Sequence, residues 1–514
     1  QKLLGAVTAD GRTGQLTTTF LNQPQVPFTD LKLHLQGVPA APLANPLFCG
    51  TATTTSPLSP YSGNPPVSAS SSFTVGSTAT GGCLQPIPFA PGFAITPATS
   101  QAGAFDSPLK FTITRPDQQQ YLGRMTLALP PGLVGIISRV PLCPAAPAQA
   151  GSCPPASRIG TATVVAGSGP QPISQVGRVY LTGAYAGAPF GLSIVVPAVA
   201  GPFNLGTVVT RAALQIDRTD AHVTIVSAPL PQVVGGIPLR IRSVDVAIDR
   251  AGFMVNPTSC SSSAVDASLA STLGSTAVAM SPFGATGCAA LRFAPRVRIG
   301  LAGRGQTTSG KHPTLTATVT SSLGQANIRS TQVTLPLSLA LDPRNASHVC
   351  SVSASQKDAC PPRTIVGSAT VDTPVLSKPL TGKVYLVQGI RIGAHGQTIR
   401  TLPALLITLR GQVAIDLRAQ TAVDSHSRLV TTFASVPDAP IARFTLKITG
   451  GRRGILVVTG HANLCGRAQV ARAIVGSQSG VTHGLTVAVG TPCAQRALVT
   501  GVRLAGHTLR LLRS

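Results

Sequence analysis

The stretch LTTTFLNQPQVPFTDLKLHLQGVPAAPLANPLFC, residues 16–49, decides the interpretation of this chain because it returns near the other end. There it reads LVTTFASVPDAPIARFTLKITG, residues 429–450. The matching pairs, all 413 residues apart, are Phe20 and Phe433, Pro24 and Pro437, Pro27 and Pro440, Leu33 and Leu446, and Gly37 and Gly450. A looser copy, VTIVSAPLPQVVGGIPLRIRSVDVAI, occupies residues 223–248. Half of the offset predicts a repeat of about 206 residues.

A second pattern alternates with the first. IGTATV (159–164) and GRVYLTG (177–183) return as VGSATV (366–371) and GKVYLVQG (382–389). The offset is 207 residues for the first motif and 205 for the second. Two patterns with nearly constant offsets indicate an internal duplication.

Composition favours an all-β fold. The 514 residues include 52 Gly and 44 Pro, and all fifteen acidic residues are Asp, so long helices are disfavoured. Hydrophobic residues make up 43% of the chain but aromatic residues only 4%. Many short strands with frequent turns are typical of immunoglobulin-like β-sandwiches.

The alternation predicts five tandem immunoglobulin-like modules of two types, each with one disulfide. An LTTTF-type module occupies 1–103 and is incomplete at its N-terminus. The later modules are 104–214 (VYL type), 215–300 (LTTTF type), 301–418 (VYL type) and 419–514 (LTTTF type). The alternative is that a pair of modules shares strands as one larger domain.

Ten cysteines recur at matched spacings and predict five local disulfides. The predicted pairs are Cys49 with Cys83, Cys143 with Cys153, Cys260 with Cys288, Cys350 with Cys360, and Cys465 with Cys493. Zinc ligation is disfavoured because short Cys-x-x-Cys knuckles are absent from the sequence. Disulfides indicate an oxidising compartment, so we expect an extracellular or cell-surface location.

A net charge of +25 would attract polyanions such as nucleic acid, anionic wall polymers, acidic polysaccharide or lipid head groups. The preferred interpretation is a solvated basic surface that keeps a secreted protein soluble. The basic residues are dispersed, and the densest cluster is only Arg452 and Arg453, so no specific nucleic-acid binding is expected. The apolar stretch 191–209 contains Pro197 and Pro202 and is interpreted as two buried strands rather than a transmembrane segment.

Residues 1–15, QKLLGAVTADGRTGQ, lack the apolar core of a signal peptide. They begin inside what the repeat predicts to be a hairpin. We therefore expect a processed end, or upstream repeats in a longer protein.

The motifs LTTTFLNQPQVPF, VPLCP, GRVYLTGAYAGAPFGLSIVVPAVAGPFNLGTVV and FMVNPTSC resemble tandem repeats of large secreted proteins of soil actinobacteria. The resemblance covers residues 16–288. The second VYL module departs from it, with TLPALLITLRGQ in place of the apolar PFGLSIVVP block. The resemblance implies an extracellular β-repeat protein and carries over no functional residue.

Catalytic patterns are weak. GQTTSGK, residues 305–311, has phosphate-loop spacing but is followed by His312 and a strand-like run, so an interdomain turn is preferred. The sequence contains no G-x-S-x-G elbow and, without Glu, no HExxH motif. Two Asp pairs are interpreted as turn residues, and four of the dispersed His do not recur at equivalent positions. The pairs are Asp217 with Asp220 and Asp245 with Asp249; the His are His34, His222, His426 and His461.

We therefore expect no enzyme, no catalytic, cofactor or metal site, and no cofactor. The main hypothesis is an extracellular structural protein, a stalk, matrix or filament subunit that associates with identical copies. Strand exchange through residues 1–15 or 497–514 would join the subunits. The alternative is a secreted adhesin or binding module for anionic polymers, and an enzyme on one module is the third hypothesis.

Overall fold

Short strands, nearly all paired antiparallel, make up most of the regular secondary structure described in this computed structural model, which confirms the all-β class. The structure describes residues 2–37, 41–76, 86–201, 203–392, 397–493, 499–505 and 508–513. The longest strand has 14 residues, and the two α-helices have six and five. The dense Pro and Gly turns account for these short elements, because both residues interrupt helices and mark chain reversals.

The chain folds into two compact units. The first comprises Gln1–Asp217, His222–Asn256 and Cys260–Thr286. The second comprises Arg218–Ala221, Pro257–Ser259 and Gly287–Ser514.

Four strands near the N-terminus form two isolated hairpins. They are β1 (Gly5–Ala9) with β2 (Leu16–Phe20), and β3 (Gly50–Leu58) with β4 (Val67–Val75). The predicted DGRTG turn joins β1 and β2, and the Asp10 carboxylate accepts hydrogen bonds from the backbone N–H groups of Arg12 and Thr13. The local turn chemistry therefore fixes this hairpin.

The first unit contains an eleven-stranded sheet with the order β19-β18-β7-β13-β12-β11-β10-β9-β16-β6-β5. The strands of this unit are β5 (Gly92–Pro97), β6 (Leu109–Thr114), β7 (Leu122–Ala128), β8 (Val134–Gly135), β9 (Arg158–Ala166), β10 (Ile173–Thr182), β11 (Phe190–Ala200), β12 (Phe203–Ile216), β13 (Val223–Ser227), β14 (Val233–Val234), β15 (Ile237–Pro238), β16 (Ile241–Ile248), β17 (Met254–Val255), β18 (Ser263–Ser271) and β19 (Thr276–Phe283). Helix α1 is Ala145–Ala150, and 3-10 turns span Ile137–Arg139 and Pro155–Ser157. The end strands β5 and β19 meet where the Ile95 N–H donates to Ser281 Oγ at 3.0 Å.

The second unit is a closed barrel with the order β20-β21-β31-β24-β25-β28-β29-β30-β22-β33-β34. Its strands are β20 (Arg296–Ala302), β21 (Thr314–Thr320), β22 (Ile328–Thr334), β23 (Leu339–Leu341), β24 (Ile365–Asp372), β25 (Leu380–Val387), β26 (Ile390–Ile392), β27 (Thr398–Arg400), β28 (Ala404–Arg410), β29 (Ala414–Val423), β30 (Leu429–Phe433), β31 (Arg443–Ile448), β32 (Leu456–Val458), β33 (Gln469–Ser477) and β34 (Thr482–Gly490). Helix α2 is Val352–Gln356, and 3-10 turns span Cys288–Ala290, Asn345–Ser347 and Pro362–Thr364. Parallel pairing of Ile299 with Val489 and of Gly300 with Gly490 closes the barrel. Two further strands, β35 (Val499–Ala505) and β36 (Thr508–Arg513), form a separate hairpin.

The two large sheets have the same topology. Each strand of the first sheet has a counterpart at the same place in the second, from β5 and β20 to β19 and β34. Gly160 and Gly367 occupy equivalent points, and a methyl group on either would overlap the backbone carbonyl oxygen of the neighbouring strand. The predicted period of about 206 residues thus corresponds to one complete eleven-stranded repeat.

The predicted domain boundaries need correction. The boundary at residue 214 falls inside β12, and β7 of the predicted 104–214 module pairs with β13 and β18 of the 215–300 module. In the same way, β22 from 301–418 pairs with β30 and β33 from 419–514. These sheets fit the alternative in which a pair of modules shares strands as one larger domain. Tandem immunoglobulin-like sandwiches are not confirmed.

Disulfide bonds join cysteines that the matched spacings predicted to be paired. Cys143 bonds to Cys153 around α1, Cys350 bonds to Cys360 around α2, and Cys465 bonds to Cys493. The structure also has Cys49, Cys260 and Cys288 in disulfides. Cys83 lies outside the described residues, and the pairs assigned to these last four cysteines stay predictions. The bonds fit a protein outside the reducing cytosol.

The apolar stretch 191–209 forms most of the antiparallel β11–β12 hairpin, which confirms the interpretation as two strands. The strands are not buried throughout, because Val199 and Phe203 near the turn are exposed. Within the described ranges, no helix combines the length and the apolar character needed to cross a bilayer.

Candidate functional site

A cleft lies on the outer face of the second unit, and the alternation of side chains along β25 explains its lining. Val384 and Leu386 point into the barrel and are fully buried. Thr381, Lys383 and Tyr385 alternate with them and line the cleft. A strand with one apolar and one polar face thus separates the barrel core from the site.

Strand β28 and the α2 segment complete the walls of this cleft. The lining residues are Ser355, Asp358, Cys360, Thr381, Gly382, Lys383, Tyr385, Leu406, Thr408 and Arg410. The Cys350–Cys360 disulfide holds the α2 segment against the sheet. The volume of about 510 Å³ falls within the usual range of small-molecule sites, roughly 300–1,000 Å³.

Two carboxylates and two guanidinium groups form a chain of ion pairs at one end of the cleft. Asp358 pairs with Arg218 at 2.5 Å and with Arg410 at 3.1 Å, and Arg410 also pairs with Asp416 at 2.6 Å. The hydrogen bond that Arg218 donates to the Asp358 carboxylate raises the pKa of Arg218 above its ordinary value. Arg418 instead donates to the neutral Ser355 hydroxyl at 3.1 Å.

Asp358 adopts a left-handed backbone conformation with φ of 53°. Its counterpart after α1 in the first unit is Gly151, with φ of 74°. Glycine adopts this conformation without strain, whereas any other residue pays a conformational cost there, smallest for Asn and Asp. The second unit therefore keeps a carboxylate where its own backbone favours glycine.

In the first unit, valines occupy the space that corresponds to the cleft. Val195 packs against Tyr180 and the Cys143–Cys153 disulfide. A methyl group on Gly151 would lie 2.7 Å from Val209. At the matching register positions of the second unit stand Thr408 in place of Val195 and Asp416 in place of Val209. The second unit thus has polar and charged side chains at positions where the first unit has apolar ones.

A separate apolar cavity of about 140 Å³ lies inside the barrel of the second unit. Its lining is apolar apart from Thr331, Thr421 and Thr431. A void of this size costs roughly 3 kcal/mol of folding free energy if it is empty.

The phosphate-loop lookalike at 305–311 forms the turn between β20 and β21 of one barrel. The interpretation as a turn is confirmed, but the turn lies within the second unit and not between domains. The Lys311 N–H donates to the Thr308 carbonyl at 3.1 Å, and the chain continues as a strand rather than a helix. The spacing therefore carries no phosphate-binding geometry here.

The two predicted Asp pairs lie in different surroundings. Asp217 and Asp220 lie at the turn of the β12–β13 hairpin, where they and His222 place potential ligand atoms within 4.8 Å of one another. Asp245 lies inside β16, not in a turn, and accepts a hydrogen bond from Thr112 at 2.6 Å. Asp249 pairs with Arg158.

The remaining histidines considered from the sequence lie apart in the fold. His34 lies in the segment between β2 and β3, His426 in the β29–β30 turn, and His461 in the turn after β32.

No protein-family model matches the chain, and a search of curated proteins found no match.

Proposed function

We propose that the chain is a non-catalytic extracellular structural protein, built from duplicated β-barrel repeats that assemble by strand exchange. The repeated strand order and the disulfides support this proposal. The resemblance to secreted actinobacterial repeat proteins supports the extracellular location. Repetition of one stapled unit extends a structure while using the same interfaces again.

One observation carries the proposal, namely the exposure of apolar side chains in the N-terminal copy of the LTTTF pattern. Phe433 and Leu446 are 9% and 7% exposed in the closed barrel, whereas their counterparts Phe20 and Leu33 are 40% and 69% exposed. We call these exposed side chains the apolar face, because large apolar side chains that are buried in one copy and exposed in the other point to an interaction surface.

The closed barrel shows what covers the corresponding face. There β31 lies between β21 and β24, and β30 lies between β29 and β22. The N-terminal β2 pairs only with β1 among the described strands. Strands β1 to β4 thus correspond to β29, β30, β33 and β34 of the closed barrel, and we call them the N-terminal half-barrel.

The C-terminal hairpin resembles the strands that begin a barrel. The segment GVRL (501–504) lies at the same distance after Cys493 as the segment RVRI (296–299) lies after Cys288. We infer that β35 and β36 of one molecule add to the N-terminal half-barrel of the next, as β20 and β21 add to β34 and β31. Such a head-to-tail contact does not close on itself and generates filaments.

Electron microscopy and sedimentation over a range of concentrations test this assembly. We expect the full chain to form filaments or concentration-dependent oligomers, and a chain that ends at residue 493 to remain monomeric with its barrels folded. Leu33→Lys should also abolish assembly, whereas Leu273→Lys, at a comparably exposed leucine in the β18–β19 turn, should not. Monodisperse particles of the full chain at every concentration would contradict the proposal.

A second candidate function is a secreted binding module for anionic polymers. The cleft of the second unit and the net charge of +25 favour it. The two functions are compatible, because the cleft lies in the second barrel and the apolar face belongs to the N-terminal copy.

A further inference from the structure

We propose that the cleft on the second unit binds a saccharide that carries an oxyanion, a carboxylate or a phosphate, through Lys383 and Arg410. This site is independent of the filament contact proposed above. The proposal depends on the charge balance of the cleft, on its difference from the first unit, and on the chemistry of its walls.

The charge balance favours an anionic ligand. The cations in and beside the cleft are Arg218, Lys383, Arg410 and Arg418, and the carboxylates are Asp358 and Asp416. The excess is two positive charges. Arg410 lines the cleft and is shared between both carboxylates, so an incoming oxyanion can replace Asp358 as one of its partners.

The two units have the same strand order but different side chains at the positions of the cleft, so the strand order alone does not produce the cleft. The same eleven strands and a disulfide-enclosed helix occur in the first unit, with Pro197 at the position of Arg410 and Val176 at the position of Thr381. Arg178 there corresponds to Lys383. Both units therefore carry a positive charge on this strand, Arg178 on β10 and Lys383 on β25, whereas the neighbouring residues that are polar or charged in the second unit are apolar in the first.

The walls combine the side chains that recognise sugars. Tyr385 and the buried Leu406 supply an aromatic and an aliphatic surface for the ring carbons. Thr381 and Thr408 supply hydroxyl groups that can donate and accept hydrogen bonds, as sugar hydroxyls require. The Ser355 hydroxyl already donates to the Val352 carbonyl at 2.7 Å and accepts from Arg418. The cations then select saccharides that carry an acidic group.

Isothermal titration calorimetry of the full chain at 150 mM NaCl tests the site. The probes are an oligogalacturonate, an oligomer of glycerol phosphate and a neutral malto-oligosaccharide of similar length. We expect one site per chain for an anionic probe and none for the neutral one. The two anionic probes distinguish a carboxylate source from a phosphate source.

Lys383→Gln should weaken binding about tenfold. Arg178→Gln is the matched control, because it removes the same charge from the equivalent exposed position of the first unit. It should leave the dissociation constant unchanged. Equal losses in both variants would mean that the protein attracts polyanions through its overall charge, and would overturn the proposal.

Asp358→Gly provides a test in the opposite direction. It removes a carboxylate that competes for Arg410 and restores the residue that the first unit has at this backbone position. We expect tighter binding of the anionic probe by severalfold, with no loss of thermal stability. Weaker or unchanged binding in this variant, or no binding of either anionic probe to the unmodified chain, would refute the site.

Discussion

Substitution of Asp438 tests how much one buried carboxylate stabilises the second unit. Its carboxylate is almost fully buried in the second unit and accepts four hydrogen bonds. The donors are the Thr258 N–H at 2.9 Å, the Thr258 hydroxyl at 2.7 Å, the Ser259 N–H at 3.2 Å and the Asn327 amide at 2.8 Å. One side chain thus holds the segment Pro257–Ser259 to the barrel.

Asp438→Ala leaves these four buried donors without their acceptor. Hydrogen bonds to a charged group contribute about 1.5–3 kcal/mol each, and their loss from one residue is not additive. Breaking a buried charged network typically costs about 3–5 kcal/mol, so we expect the free energy of unfolding to fall by about 4 kcal/mol. Asp438→Asn keeps one oxygen and should lose about half as much.

Differential scanning calorimetry under non-reducing conditions measures this loss. For a unit of this size, 1 kcal/mol shifts Tm by roughly 2–4 °C, so the Ala variant should melt about 8–16 °C lower. Asp266→Ala, at an exposed carboxylate on β18, is the control and should shift Tm by less than about 2 °C. A shift below about 4 °C in the Asp438→Ala variant would refute the role assigned to this carboxylate.

Three further predictions follow from the barrel of the second unit. Gly367→Ala should lower the free energy of unfolding of this barrel by about 3 kcal/mol in a urea titration, because the added methyl group meets the Lys447 carbonyl oxygen. Gly300→Ala in β20 is the control and should cost little, because the space around Gly300 is open. Replacing Cys350 and Cys360 together by Ser should cost about 3 kcal/mol, the value for a loop of ten residues, and equal melting of this variant and the parent would contradict it. Hydrogen bonds from the Arg428 N–H and guanidinium lower the pKa of Asp424 from 3.8 to about 2, so the stability it contributes is present above about pH 4 and disappears as the pH falls towards 2. The Tm difference between Asp424→Asn and the parent should therefore shrink over that range, and a constant difference would contradict the assignment.

The sequence was sufficient to predict the repeat and the local pairs. Motif offsets of 205 and 207 residues measure one structural unit, because duplication preserves spacing whatever the fold. Strand character and the Cys143–Cys153 pair depend on neighbours within about ten residues, which a sequence pattern records directly.

The pairing of strands between modules could not be predicted from the sequence. Strand β7 pairs with β18, more than a hundred residues later, and no local pattern distinguishes that partner from a nearer one. A high density of short strands is common to sandwiches and barrels, so the immunoglobulin-like assignment had no discriminating signal.

One feature of the sequence reflects the cleft. The second VYL module has TLPALLITLRGQ, which contains Arg410, in place of the apolar PFGLSIVVP block of the first. The partners of Arg410 could not be inferred, because Asp358 is 52 residues away and Arg218 is 140 residues from Asp358. Only the folded barrel places these charges together.

The closure of the barrel by β20 and β34 determines how the second unit responds to tension. These are the first and last strands of the barrel, and they lie side by side and parallel. A pull on the chain before β20 and after β34 therefore slides the two strands along each other. Their hydrogen bonds are then stretched together rather than opened one by one, the arrangement in which a small number of bonds resists the greatest force.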